Sequence, residues 1–302
     1  EMSDEVQAAF STDTQNVLQD IPGVGTVTLN IVSATPENRH VQRENLLSNV
    51  KWPLLVGSGK GGVGKSTVTV NLAITLANMG FSVGLLDGDL YGPSIPTMFG
   101  IQERPLANAA GQLIPFERYG VKLISIGFLL EEGTPVIWRG PILHKAIQQL
   151  MKDVAWGELD FLLIDLPPGT GDVQISISQS THVAGAIAVT TPQDVALIDV
   201  KKAIGMFETL EIPMFGVVEN MSYFRCTECD ATHYIFSGNR NNGTGNQLAA
   251  PVIGRIPIQI SVRSGGDEGK PVVIQEPESE AAGIFREIAA TVAQAIRSSY
   301  NA

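Results

Sequence analysis

Cysteine is scarce in this chain, with two residues, Cys226 and Cys229, among 302. So small a number builds no disulfide framework, and a reducing, cytoplasmic compartment is expected. Basic residues are outnumbered, 20 Lys and Arg against 31 Asp and Glu, which leaves a net charge of −11. That deficit argues against binding nucleic acid or an anionic membrane, both of which favour a basic face. No apolar run approaches the ~20 residues of a membrane-spanning helix. No secretory leader is visible, and Glu1 in place of methionine reads as a trimmed or recombinant start. Internal repeats and low-complexity tracts are missing. His40, His144 and His182 are scattered without ligand spacing.

What is present is more telling. Gly59-Lys60-Gly61-Gly62-Val63-Gly64-Lys65-Ser66-Thr67 fits the phosphate-loop pattern G-x-x-x-x-G-K-S/T without a mismatch. Triphosphate needs many donors close to its oxygens. Glycine lets the backbone curl until successive N–H groups point inward, and a following helix adds the positive end of its dipole. Lys65 would then reach the β- and γ-phosphates, and the Ser66 hydroxyl would ligate Mg²⁺. The flanks agree: 52–56 reads as a short buried strand, and 66–79 as a helix with Val70, Ala73, Ile74 and Ala77 at helical spacing. Lys60, directly after the first glycine, suggests the branch of this superfamily in which such a lysine reaches a phosphate across a dimer interface.

Strands are expected at 52–57, 82–87, 121–126, 160–165, 184–190, 213–219 and 251–255, and helices at 65–79, 141–153, 194–209 and 279–298. This alternation predicts an α/β fold, a mostly parallel sheet with helices on both faces. Ligands in such sheets sit at the carboxyl ends of the strands. Residues 1–35 read as a separate small α+β unit. It has a short helix carrying Val6, Phe10, Val17 and Leu18, then a strand carrying Val24, Val27, Leu29 and Ile31. One helix and one strand bury no core alone. The polar stretch 36–50 reads as a linker, and 51–302 as the main domain.

Other strand ends carry polar groups. In Leu85-Leu86-Asp87-Gly88-Asp89, Asp89 could orient an attacking water and Asp87 could support Mg²⁺ through a water, unless both simply serve a turn. Phe161-Leu162-Leu163-Ile164-Asp165 has the Walker B form, which puts Asp165 in the Mg²⁺ shell. The loop 166–172 after it could sense the γ-phosphate. Asn220 offers a donor and an acceptor to a purine edge, although a turn role is the plainer reading of the residue alone. Cys226 and Cys229 form a CxxC in a polar loop. A redox pair wants a helix start, which 230–234 does not resemble. A zinc site wants four ligands; His233 offers a third and no fourth is near. Two chains giving two thiolates each would build a tetrahedral set for zinc or an iron–sulfur cluster. Two reduced structural thiols are the plain alternative.

The motifs follow in order: 59–67, Asp-Gly-Asp-Leu-Tyr-Gly-Pro-Ser at 87–94, Trp-Arg-Gly-Pro at 138–141, Asp-Leu-Pro-Pro-Gly-Thr-Gly-Asp at 165–172, Glu-Asn-Met-Ser at 219–222, and the CxxC at 226–229. Over about residues 50–300 they resemble the Mrp (ApbC-type) ATPases, P-loop iron–sulfur cluster carriers related to MinD and ParA. Residues 4–35 resemble the second half of the small iron–sulfur assembly domain that often precedes this ATPase. The resemblance implies a slow, Mg²⁺-dependent ATPase acting as a homodimer on apo iron–sulfur proteins and cluster scaffold proteins. It makes Lys60 the signature lysine of a nucleotide-sandwich dimer. It makes Lys65 and Ser66 the phosphate and Mg²⁺ residues, Asp89 the switch I aspartate and Asp165 the Walker B aspartate. Asn220 becomes the adenine contact. Cys226 and Cys229 become the pair that holds a labile four-iron (4Fe-4S) cluster between subunits.

The chain departs from the family in three places. Thr227 stands where the family usually has proline, Asp230 where it often has glycine, and 237–245 is atypically polar. Two alternatives stand beside the carrier reading, a P-loop dimer with structural zinc and a positioning switch of the MinD or ParA kind. Membrane capture of the MinD type needs a basic amphipathic terminal helix. Residues 280–299 place Ile284, Phe285, Ile288, Val292 and Ile296 on one side with only Arg286 and Arg297 basic, which predicts a core-packing helix.

Overall fold

The computed structural model describes residues 4–19, 21–22, 24–28, 45–90, 92–129, 140–169, 171–236 and 248–300. The chain divides into two compact units, Glu1–Arg43 and Glu44–Ala302. In the smaller unit the expected helix is α1 (Asp4–Gln19), longer than its apolar positions suggested. Its Gln15 Nε2 donates to the Val27 carbonyl at 3.4 Å. The expected strand is not formed at Val24 and Val27, because residues 24–28 pair with no strand among the described residues and an extended segment needs a ladder to satisfy its backbone. Leu29 and Ile31 lie outside the described residues.

The larger unit runs β1 (Val50–Ser58), α2 (Lys65–Asn78), β2 (Val83–Asp87), α3 (Ile95–Met98), β3 (Phe116–Arg118), β4 (Val121–Ser125), α4 (Gly140–Lys152), β5 (Leu159–Asp165), α5 (Asp172–Ser180), β6 (Gly185–Thr190), α6 (Asp194–Thr209), β7 (Met214–Glu219), β8 (Phe224–Arg225), β9 (Thr232–His233), β10 (Val252–Arg255), α7 (Ile260–Asp267), α8 (Val272–Gln275) and α9 (Glu280–Tyr300). Every strand and helix expected in this unit is present. The additional elements α3, α5, α7, α8, β3 and the β8–β9 pair are too short to display a period in sequence.

Eight strands form one sheet in the order β10-β7-β6-β1-β5-β2-β4-β3, parallel except that β3 pairs antiparallel with β4. Successive strand side chains point to opposite faces. Leu85 and Leu163 accordingly join the layer with Ile74 of α2 and Phe285 of α9. Leu86, Leu162 and Ile164 join the layer with Ile147 of α4 and Ile177 of α5. Burial on both faces is why these strands are apolar throughout. Helix α9 buries Phe285, Ile288, Val292 and Ile296, so its apolar stripe is core, as expected. Among the described residues no helix is long and apolar enough to cross a membrane. Because β5 lies between β1 and β2, the connections diverge there, and a crevice opens at the carboxyl ends of these strands.

Candidate functional site

The loop between β1 and α2 is clamped from two sides. Gly64 sits at φ 82, and a Cβ there would come within 2.2 Å of Asn220 Nδ2. A Cβ on Gly59 would lie 2.2 Å from the Asp199 carbonyl carbon of α6. Only glycine fits either place. Asn220 Nδ2 donates to the Val63 carbonyl at 2.9 Å, so the end of β7 fixes the loop's curvature.

Strand register brings the acidic groups beside it. Asp165 lies level with Val56 on β1 and with Asp87 on β2. Asp165 Oδ2 takes Lys65 Nζ at 2.6 Å and the Ser66 hydroxyl at 2.7 Å. Its Oδ1 takes the Thr69 hydroxyl at 2.6 Å. Lys65 Nζ is also 3.4 Å from Asp89 Oδ2. Burial works to lower the Lys65 pKa, but the Asp165 charge and hydrogen bond outweigh it and the pKa is raised. Asp87 is fully buried; it accepts the Ser125 hydroxyl at 2.8 Å and the Asp89 N–H at 3.2 Å. Burial, then the Asp165 charge, pushes its pKa up to about 7. Asp89 Oδ1 is buried without a partner among the described residues.

Of these groups Lys65, Ser66 and Asp89 border a cleft of about 350 Å³ that also takes in Gly61, Gly62 and Thr67, while Asp87 and Asp165 are buried. Lys60 borders it too, with Nζ 3.2 Å from Gln193 Oε1 of its own chain. The Ser66 hydroxyl and the Asp89 carboxylate at the cleft, with the Asp165 carboxylate hydrogen-bonded to Ser66, offer the hard oxygen chemistry that Mg²⁺ prefers. The orphaned Asp89 oxygen fits a further ligand or water. Thr69 and Ser125 were not singled out from sequence. Thr69 could have been, since it stands one helical turn after Lys65, whereas Ser125 reaches Asp87 only through the β2–β4 pairing.

Past Gly64, Thr67, Ser94 and Met98 the cleft opens into a second, more apolar cavity of about 520 Å³. Asn220 lines it, with Met221, Phe236, Pro257, Ile258 and Gln259. Gln259 Oε1 is buried without a partner among the described residues. Apart from Asn220 none of these walls was legible in the sequence, because they come from three separated segments.

The CxxC lies on a hairpin, β8 with β9, rather than in an open loop. The Cys226 N–H donates to the Ala231 carbonyl at 2.9 Å, and the Asp230 N–H to the Cys226 carbonyl at 3.0 Å. Asp230 adopts φ 56, a left-handed backbone conformation that favours glycine. Both thiols are free, with Cys229 exposed and Cys226 half-exposed. The N–H of Glu228, then the N–H and thiol of Cys229, hold the Cys226 thiol below the usual range. His233 does not join them as a third ligand: its ring lies against Phe224 at 6.3 Å between centroids. Among the described residues no three His, Cys, Asp or Glu side chains gather to hold a metal ion.

In the loop after β5, Gln174 Nε2 donates to the carbonyls of Pro167 at 3.4 Å and Gly169 at 3.0 Å. Trp138, Arg139 and the polar segment 237–245 lie outside the described residues.

Comparison with known proteins gives three findings. Residues 49–293 match the family described as ParA: NUBPL iron-transfer P-loop NTPase. An iron-sulfur cluster carrier protein of Aquifex aeolicus is 50% identical over 83% of this chain and 70% of its own length. An iron-sulfur protein required for NADH dehydrogenase, mitochondrial, from Arabidopsis thaliana is 46% identical over 83% and 80%. Among solved structures, a nucleotide-binding protein of Archaeoglobus fulgidus, in complex with ADP and with cobalt, superposes with a TM-score of 0.67. It is 38% identical and covers 81% of this chain and 95% of its own.

Proposed function

The chain belongs to the NUBPL-type iron-transfer P-loop NTPases of the ParA group, and from that premise we propose that it is an ATP-dependent carrier that takes up an iron–sulfur cluster on a homodimer and passes it to apo-proteins. The observation that supports this reading is a cleft lined by the phosphate loop, Lys65, Ser66 and Asp89, in a domain whose hairpin presents two free thiols.

Lys65 leaves Asp165 for the β- and γ-phosphates, so a buried cation exchanges one anionic partner for another and is never left unpaired. Ser66, with Asp165 and Asp87 behind it, would hold Mg²⁺, which would neutralise charge building on the phosphates. Asp89 orients the attacking water with its unpartnered oxygen. Lys60 exchanges Gln193 for a phosphate in the facing copy. The larger cavity takes the adenosine, with Asn220 at the base. Two thiolates per chain fall short of the four that a cubane cluster requires, so Cys226 and Cys229 of two copies together hold a four-iron cluster as cargo. Cluster scaffold proteins supply it, and apo iron–sulfur proteins receive it. A reducing compartment such as the cytoplasm suits free thiols and a labile cluster.

Anaerobic reconstitution with iron and sulfide tests this, using metal counting and visible absorption on the wild type and on Cys226→Ala/Cys229→Ala. The expected result is about four irons per dimer, lost in the double variant. Stoichiometric zinc that iron does not displace would make the thiols structural and the carrier reading wrong.

A further inference from the structure

We propose that the cysteine hairpin reads the base cavity: a nucleoside filling that cavity, rather than phosphate in the cleft, sets how Cys226 and Cys229 are presented to their cargo. This rests on the assignment of the larger cavity to the adenosine.

Both roots of the hairpin are walls of the cavity. Met221 leads into β8, and Phe236 follows β9 by three residues; each lines it. Met221 is held at φ 54, a conformation that a non-glycine residue adopts only under constraint. A third wall, 257–259, is bonded to the same root. The Ser222 N–H donates to the Ile256 carbonyl at 2.9 Å, and the Ile258 N–H to the Tyr223 carbonyl at 2.6 Å. Phe224 forms a parallel bridge with Ile258, and Cys226 is two residues further on. On its other side the hairpin is pinned to α9, where Glu280 Oε1 accepts the Tyr223 hydroxyl at 2.8 Å and lies 3.3 Å from Arg225 Nη2. The hairpin is thus a short lever with a fixed point at Glu280 and its base in the cavity.

A ligand shifts such an element only through contacts that differ between its states. The cavity supplies one in Gln259, a wall residue whose Oε1 is buried with no partner among the described residues. A base amine that satisfies it pins 257–259, while the base plane packs on Phe236 and Met221. The rival route runs from the phosphate loop, which touches the same root through Asn220 and Val63.

Cys226 and Cys229 are the only cysteines in the chain, so alkylation of the metal-free full chain with iodoacetamide reads the hairpin without any iron. The rates would be measured with no ligand, with Mg²⁺ and ADP, and with Mg²⁺ and tripolyphosphate, at matched occupancy set by calorimetry. The expected result is a change of about fivefold or more with ADP and a rate near the ligand-free value with tripolyphosphate. Phe236→Ala should shrink the ADP effect. Coupling is reciprocal, so Zn²⁺ bound to the thiols should shift ADP affinity by the factor by which ADP shifts Zn²⁺ affinity. An equal change with tripolyphosphate, or saturating ADP with no change, would overturn the proposal while leaving the carrier function standing. Failure of ADP to bind at all would remove the base-cavity assignment and this proposal together.

Discussion

Three donors, Lys65 Nζ and the hydroxyls of Ser66 and Thr69, all end on the two oxygens of Asp165. Removing that carboxylate leaves the buried Lys65 ammonium with only the longer Asp89 contact at 3.4 Å. Asp165→Ala is therefore expected to lose about 3–5 kcal/mol of stability in urea denaturation, together with Mg²⁺-dependent hydrolysis. Asp87 gives a pH signature. Its folded pKa of about 7 lies above the ordinary 3.8, so the folded state keeps a proton that the unfolded chain releases. Its contribution is full below about pH 4 and is lost as the pH rises to about 7. Urea midpoints measured across that window should fall less steeply in Asp87→Asn than in wild type; identical slopes would show that Asp87 does not titrate there. Asp230, at φ 56, offers a third check. Asp230→Gly should keep cluster loading, whereas the β-branched Asp230→Val should lower it by straining the turn that shapes the CxxC. Equal loading in the two variants would show that this backbone conformation is unimportant.

Among the elements, length decided what could be read in advance. The strands of the central sheet and the helices α2, α4, α6 and α9 carry enough positions to show alternation or helical spacing. The phosphate loop was legible because its motif lies in nine consecutive residues, 59–67. The hairpin β8–β9 and helix α7 were not, since two-residue strands and an eight-residue helix show no period. They nonetheless build the cysteine mount and one cavity wall. The apolar stripe of helix α9 is packed in the core and is not offered to a membrane. Phe285 is fully buried, so Phe285→Ala should cost about 3–5 kcal/mol in chemical denaturation. Liposome co-sedimentation with ATP should show no capture of the wild type.

For the whole molecule, half of the expected ligand set is in each chain. The two thiols lie on segments leaving the carboxyl edge of the sheet, the edge that also carries the phosphate loop. A second copy facing that edge would bring Lys60 to its neighbour's nucleotide and pair the thiols. Light scattering should show ATP with Mg²⁺ converting monomer to dimer in the wild type and failing to do so in Lys60→Ala. Dimerisation that ignores both nucleotide and Lys60 would detach the cysteine pairing from the nucleotide cycle.

The sequence by itself determined the α/β alternation, the phosphate loop, the strand-end carboxylates and the cysteine pair, because each is set by local spacing. It could not show that Ser125 completes the carboxylate cluster, nor that Met221, Phe236 and Gln259 share one cavity. Those depend on strand order and register, through which β5 comes to lie between β1 and β2. Only the tertiary structure brings residues some 30 to 200 positions apart within a hydrogen bond of one another, because chain folding, not local propensity, decides which strands are neighbours.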